Sequence, residues 1–379
     1  MRPDSEVVLG GSLVLKNLYG DERVTRTQEE LDIILAAHQR YAAHQGGKRA
    51  ILVHINLNGL DLANRDLQEA DFSGASLAGA SLYGANLQRA SLYCADLRDC
   101  DLRVAKMTRA DMRGAFFRGA NLSHAVLDNA DLRSGMMMYV GADGASRIDH
   151  GGGGKPDSPA TGVPHGVDFS NCSLKGVSFG NARLDGANFT GALLQGATFK
   201  NAKLTNVIFK DAVLTGVNLQ DLPREALEGC IMDATPQALA KAEELKVKLD
   251  AHQQWLTSAG QQGAPAVFDG EDLRPLHQLF TGRHLTGLSM RQTIAIGIDF
   301  SGSRLQAAKF DGADLRDANF SNADIRGASF KGAKLLHANF DKADLRALSL
   351  ADGTRHPADF SETETAQEQL RTCIRDTPS

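Results

Sequence analysis

The sequence predicts an all-β solenoid of square cross-section with short flanking helices, and three observations carry that prediction. From Leu57 to Leu132 a Leu, Phe or Met stands at every fifth residue, sixteen times without a register error. Two positions before most of these centres stands a small residue: Ala70, Ala75, Ala80, Ala85, Ala90 and Ala95, then Cys100, Ala105 and Ala110. Gly numbers 38 of 379 residues while aromatics make up 6%, which suits a narrow core lined by small side chains. A period of five matches neither a helix at 3.6 nor a flat strand at 2. It matches a coil in which each five-residue unit makes one short side and a corner. The central residue and the Ala two before it point inward, because a tight turn leaves no room there for a second large side chain.

These units resemble the repeats of the pentapeptide-repeat family, whose pattern is A(D/N)LXX, over three blocks and more than half the chain. The resemblance implies a right-handed quadrilateral β-helix with four repeats to a coil, and binding roles more than catalytic ones. Residues twenty apart would then stack.

Taken in order, residues 1–50 hold one or two strands around Val7 to Leu18 and a helix from about Gln28 to His44. Thr27 and Glu30 have capping-box spacing, and Leu31, Ile34, Leu35, His38, Tyr41 and Ala42 form an apolar stripe. This helix is expected to cover the first coil, which would otherwise expose Leu side chains and unpaired backbone groups. Solenoid block one spans 51–138. A Gly/Pro-rich excursion over 139–166 follows, with eight Gly and three Pro between Gly141 and Gly166.

Block two, 167–222, alternates Phe169, Leu174, Phe179, Leu184, Phe189, Leu194, Phe199, Leu204 and Phe209. With four repeats per coil, Phe169, Phe189 and Phe209 form one column and Phe179 and Phe199 the facing one, about 4.8 Å apart per coil. A helical connector or cap is expected over 223–284, opened by Thr235 and Pro236 and running to about Ser258. Its Leu249 to Trp255 echoes Leu35 to Tyr41, including His252 for His38, so the helix-plus-solenoid unit reads as duplicated. Block three spans 285–352. Ser361 and Glu364 repeat the capping box, and 353–379 is expected to be a capping helix and tail.

Net charge is −5, small for this length, which speaks against both an electrostatic nucleic-acid binder and a strongly acidic DNA mimic. Cys94, Cys100, Cys172, Cys230 and Cys373 lie far apart with no metal-finger spacing, so they read as reduced thiols in a cytoplasmic protein. No apolar run approaches eighteen residues and Met1 to Gly20 lacks a signal-peptide layout; specialised secretion would escape that test.

Chemistry-bearing patterns are few. Gly176, Ser178 and Gly180 match G-x-S-x-G, but in register inside a solenoid and without the strand–turn–helix that motif needs. Gly151 to Lys155 superficially matches a phosphate loop, with Pro156 where Ser or Thr belongs. His38 and His252 read as hydrogen-bonded core histidines ahead of ligands. Asp143, Asp149, His150, Asp157 and His165 have no metal spacing. The best partner-binding surface is the outward side of block one. Tyr93, Arg113 and Arg133 form one column, Arg98 and Arg118 the next, and Arg89 with Arg109 a corner pair, a set suited to carboxylates or phosphates. From Leu57 to Arg133, nine Arg plus Lys face ten Asp plus Glu, so a charge-balanced solvated face is the stronger reading.

The expected function is a non-enzymatic scaffold or protein-binding module with no cofactor and no metal, and with a homodimer through a solenoid end as a further option. One alternative, drawn from the family's quinolone-resistance members, is gyrase modulation by DNA mimicry. A second is a ligand or metal sensor or enzyme using the Gly-rich excursion or the helix histidines.

Overall fold

A computed structural model of the chain describes residues 14–16, 22–135, 137–140, 146–149, 166–363 and 367–376. The Gly151 to Lys155 run and His150, Asp143, Asp157, His165 and Glu364 lie outside them. The chain divides into two compact units, Met1–Asp233 and Ala234–Ser379.

In both units the repeat is built by single parallel bridges between residues twenty apart, such as Ser91 with Asp111 and Asp111 with Asp131. Four repeats therefore make one turn of the coil. Long strands are absent from the repeats because the backbone turns after every side. At each corner, two residues after the core centre, the backbone is left-handed: φ is 68° at Gly59, 56° at Asn64, 63° at Gly74 and 61° at Val104. Gly and Asn tolerate that region, and a β-branched Val does so at a cost.

The repeat centred on Leu97 shows how all five backbone N–H groups are paired. At centre Leu97, the N–H groups of Asp96, Leu97 and Asp99 donate to Ala75, Phe116 and Arg118 in the neighbouring coils, and the Cys100 N–H closes the corner onto the Leu97 carbonyl. The fifth, of Arg98, donates to the Asp96 carboxylate at 3.2 Å. The polar residue just before the centre is thus a backbone acceptor, and Asn121, Asn188 and Asn319 serve the same way.

Unit one opens with an antiparallel pair, β1 (Val14–Lys16) and β2 (Glu22–Val24). Helix α1 (Gln28–Ala42) follows, with the Thr27 and Glu30 capping box present. Blocks one and two then share one core. The coil is interrupted on one side only: Val126 bridges Ser173 and Asp131 bridges Ser178, so block two stacks directly on the last coil of block one. The interruption carries a second antiparallel pair, β3 (Met137–Val140) and β4 (Ser146–Asp149). The Phe columns form as the register requires. Phe169 and Phe189 stack at 5.0 Å, Phe189 and Phe209 at 5.0 Å, Phe179 and Phe199 at 4.9 Å, and the two columns meet edge to face. Three outward positions are nevertheless buried, at Ser173, Leu193 and Val213.

Unit two opens with helix α2 (Pro236–Thr257), N-capped by Thr235 with Pro236 at its first turn. Two expectations differ from what is seen here. The connector expected over 223–284 is shorter, because Val267 and Asp272 already bridge Ser289 and Ile294, and Phe268, Leu273 and Phe280 are core centres. Two extra residues at the short turn Arg274–Leu276 shift the spacing from twenty to twenty-two, which hides this coil from a strict period of five. The C-terminal capping helix is also not formed. Asp359 bridges Ser329, Ile374 bridges Asp344, and Phe360 stacks on Phe330 at 4.8 Å, so the segment supplies further coil sides, with one 3-10 turn at Gln367–Leu370. A small hairpin, β5 (Leu348–Ser349) with β6 (Arg355–His356), makes the detour. The Phe300, Phe320 and Phe340 column fills this core.

Phe320→Ala removes a ring stacked on two others and edge-on to two more, and is expected to cost about 3–5 kcal/mol in urea unfolding. Val104→Asn relieves a strained corner and is expected to stabilise by about 1 kcal/mol in the same measurement.

Candidate functional site

The side faces of block one carry a repeated local device. Where Asp precedes the core centre and Arg follows it, the carboxylate that accepts the Arg backbone N–H also holds the guanidinium. Asp96 accepts from Arg98 Nε at 2.8 Å and Nη2 at 2.6 Å. The same clamp joins Asp101 to Arg103, Asp111 to Arg113 and Asp131 to Arg133. The bidentate geometry fixes each Arg flat along its own side of the coil.

The expected columns are present. Arg113 lies over the Tyr93 ring with 5.2 Å to its centroid and reaches Asp131 in the next coil at 3.8 Å. Arg133 continues that column. On the adjoining side Phe116 bridges Asp96, which brings Arg118 above Arg98, and the Arg118 carbonyl accepts the Asp99 N–H at 3.0 Å. Arg89 stands 3.8 Å from Glu69 one coil away. Arg89 and Arg109 occupy corners, with φ of 57° and 59°.

Electrostatically the arginines are offset where they stand. The hydrogen bond to Asp111 holds Arg113 protonated above its ordinary value. The bond from Arg103 holds the Asp101 carboxyl below the usual range. Burial pushes the Asp131 carboxyl up, but bonds from Arg133 and the charge of Arg113 outweigh it and leave it lowered. Each pair is half exposed, so it is worth at most about 1 kcal/mol to folding. Its larger effect is to cancel charge on the face. In unit two the Asp314 and Arg316 clamp is buried.

Sequence reasoning missed two features of this surface. Tyr83 and Arg103 repeat the Tyr–Arg–Asp set on the opposite side, 5.5 Å from guanidinium to ring centroid, and their twenty-residue offset was there to be read. The corners from 89 to 109 hold Arg89, Cys94, Asp99, Val104 and Arg109 in succession, all with positive φ. Block two, by contrast, fills its corners from Asn171 to Gly216 with Gly, Asn and one Asp. These five corners, which span more than one turn of the coil, put four residues other than Gly, Asn or Asp into the left-handed region.

The other candidates are structural. Ser178 is a ladder residue bridged to Asp131, its hydroxyl 3.4 Å from Thr198 Oγ1. His38 and His252 are buried, and each accepts a backbone N–H at Nδ1, from Ala50 and Ala266 at 3.0 Å. Cys100 and Cys172 sit at inward small-residue positions and donate to the carbonyls of Leu77 and Leu122, and burial pushes the Cys100 thiol up to about 12. A cleft of about 490 Å³ lies beside Thr205, Asn206, Asp221 and Glu225. No described helix is long and apolar enough to cross a membrane.

Comparison with known proteins rests on the repeats. A family model for pentapeptide repeats matches residues 55–93, 66–103, 100–134, 165–201, 182–221, 284–322 and 313–347. No curated protein matches by sequence. Among solved structures, a trypsin-treated form of QnrB1, a plasmid-mediated fluoroquinolone resistance protein, is 24% identical, with 52% of this chain and 96% of that chain covered and a TM-score of 0.25. HetL, a pentapeptide repeat protein involved in heterocyst differentiation regulation in the cyanobacterium Nostoc sp. strain PCC 7120, is 22% identical over 93% of this chain and 98% of that one, with a TM-score of 0.14. A pentapeptide repeat protein of the Arabidopsis thaliana thylakoid lumen is 20% identical over 50% and 74%, with a TM-score of 0.18.

Replacing Asp96, Asp101, Asp111 and Asp131 together by Asn keeps the acceptor each repeat needs and releases four guanidiniums. The variant is expected to stay folded by circular dichroism and to bind a heparin column at a salt concentration where the wild type flows through. With more than half of its residues matched by the family model and its bridges set twenty apart, the chain belongs to the pentapeptide-repeat family.

Proposed function

We propose that this protein is a non-enzymatic scaffold that presents the side faces of block one to a partner protein. In this reading each unit is a right-handed quadrilateral β-helix closed at its first coil by a helix, α1 in one and α2 in the other. Leu31 and Leu35, and Leu245 and Leu249, join the solenoid cores from those helices, which supports the capping role.

The observation that carries the proposal is the run of corners Arg89, Cys94, Asp99, Val104 and Arg109. Strained backbone retained under bulky or charged side chains, next to clamped Arg and Tyr columns, is the mark of a surface kept for contact. Its chemistry favours a protein of mixed charge. The Asp–Arg clamps leave neither the continuous basic track that nucleic acid needs nor the continuous acidic one that DNA mimicry needs. Arg with Tyr on a rigid face is the composition of protein contact cores.

The test is capture of partners by the wild type, by a quadruple Ala variant of Arg98, Arg113, Arg118 and Arg133, and by a Tyr83→Ala, Arg103→Ala variant of the opposite side. The quadruple variant is expected to lose partners that the double variant keeps. Identical partner sets in all three would remove this face from consideration.

A further inference from the structure

His38 and His252 stand at equivalent places in two helices of different sequence, and the surroundings match in detail. Each follows two core Leu, Leu31 and Leu35 or Leu245 and Leu249, and each stacks on an aromatic three residues on, Tyr41 at 5.7 Å or Trp255 at 6.0 Å. Each helix ends in a loop with a Gly of positive φ, Gly47 or Gly263, where a Cβ would strike the carbonyl of Ala37 or Ala251 at 2.2 or 2.1 Å. Each His then takes the N–H of the first inward Ala of its coil. We propose that these two histidines form a paired pH release, in which protonation of the ring undocks α1 and α2 from the first coils of their units.

The geometry dictates the direction. An Nδ1 that accepts a backbone N–H carries no proton, so the neutral ring holds its proton at Nε2, which has no hydrogen-bond partner among the described residues in either histidine. A second proton has to enter at Nδ1, facing the Ala50 or Ala266 N–H 3.0 Å away. The acceptor becomes a donor, the backbone N–H loses its partner, and a charge arises where the ring is 0% or 1% exposed.

The groups around the two rings differ. His38 meets Arg49, Asp66 and Glu69 from the coil and the Gln68 carbonyl, and burial holds its proton affinity below the ordinary value near 6.5 although Asp66 opposes this. His252 meets His284 and the carbonyls of Thr286 and Leu285; burial lowers it, the two carbonyls oppose this, and His284 adds to the lowering. With the docked value lowered, docking is at full strength above about pH 6.5 and weakens as pH falls through the window down to the docked value, roughly tenfold per pH unit for each ring. Release exposes the Leu pairs and the coil residues beneath them, so acidification turns each helix-covered coil into an adhesive one.

Hydrogen exchange on the full chain tests this, followed from pH 7.5 to 5.0 and corrected for intrinsic rate, in the wild type and in a His38→Asn, His252→Asn double variant. Asn sets an untitratable Oδ1 where Nδ1 stands. Protection over 28–50 and 236–266 is expected to fall about tenfold per pH unit below about 6.5 in the wild type, to hold over 85–112 and 305–330, and to be flat with pH in the double variant. A flat wild-type profile, or an equal slope in the variant, overturns the proposal. Ring titration of the wild type by NMR decides independently of the variant's folding. Values below the ordinary one with an Nε2–H tautomer support the release, and values at or above it for both rings overturn it.

Discussion

The constraint on which this structure depends is the pairing of the backbone N–H just after each core centre. Four of the five N–H groups in a repeat are paired by the ladder and the corner, and the fifth faces outward with no carbonyl in reach. Where Asp or Asn stands one position before the centre it is the local solution, as in an Asx turn, and where Ser76 or Ser289 stands there the acceptor is Asn58 or Asp269 of the neighbouring coil. This explains why the polar residue of the repeat stands where it does, and why that residue does not count as a binding group simply because it is polar and outward. The buried half of the repeat is then free to be as plain as Leu and Ala, and where room allows, as in block two, to stack Phe on Phe at 4.9–5.0 Å.

That division decides how much was legible in the sequence. Inward residues repeat because the coil repeats, so the Leu57 to Leu132 run, the Phe columns and the equivalence of His38 with His252 could be read from spacing alone. What broke the reading was insertion. Two residues at Arg274–Leu276 hid the first coil of unit two, and the detour at Leu348–His356 made coil sides after Asp359 look like a helix, because Ser361 stands just after a core Phe and mimics a cap. Spacing sees period and not continuity, so it also cut one core at 139–166 where the coil in fact resumes across the gap, Val126 on Ser173. At the surface the columns of Arg98, Arg113 and Arg133 were legible, but their clamping was not. A count of charges shows balance, and only the geometry shows that each Asp is bound to the Arg two residues on.

The histidines show the same economy in the helices. A helix laid on a coil must satisfy the coil's first exposed N–H as well as bury its Leu, and a His on the apolar stripe does both, with an aromatic behind it to fix the ring. A hydrogen bond of this kind adds only about 1 kcal/mol when made, yet leaving the group unpaired in a buried site costs more. The residue is thus tied to one protonation state, and a purely structural part acquires a sensitivity that an Asn in its place would lack.

The surface argument follows from what the fold leaves open. The inward positions are fixed by packing, the corner by its positive φ, and an Asp or Asn before the centre by the N–H two residues on, which leaves the residue just after the centre under the fewest demands. Block two accepts this and gives its corners to Gly, Asn and Asp. The corners from 89 to 109 do not: Arg89, Cys94, Val104 and Arg109 hold a backbone region that disfavours them by about 1–2 kcal/mol each. A cost of that size, repeated at four of five consecutive corners and flanked by Tyr93 with Arg113 and Tyr83 with Arg103, meets little packing in return, since only Cys94 of the four is buried. In the function proposed above that return comes from outside the chain, with a rigid, charge-balanced coil offering a patterned face for another protein to read.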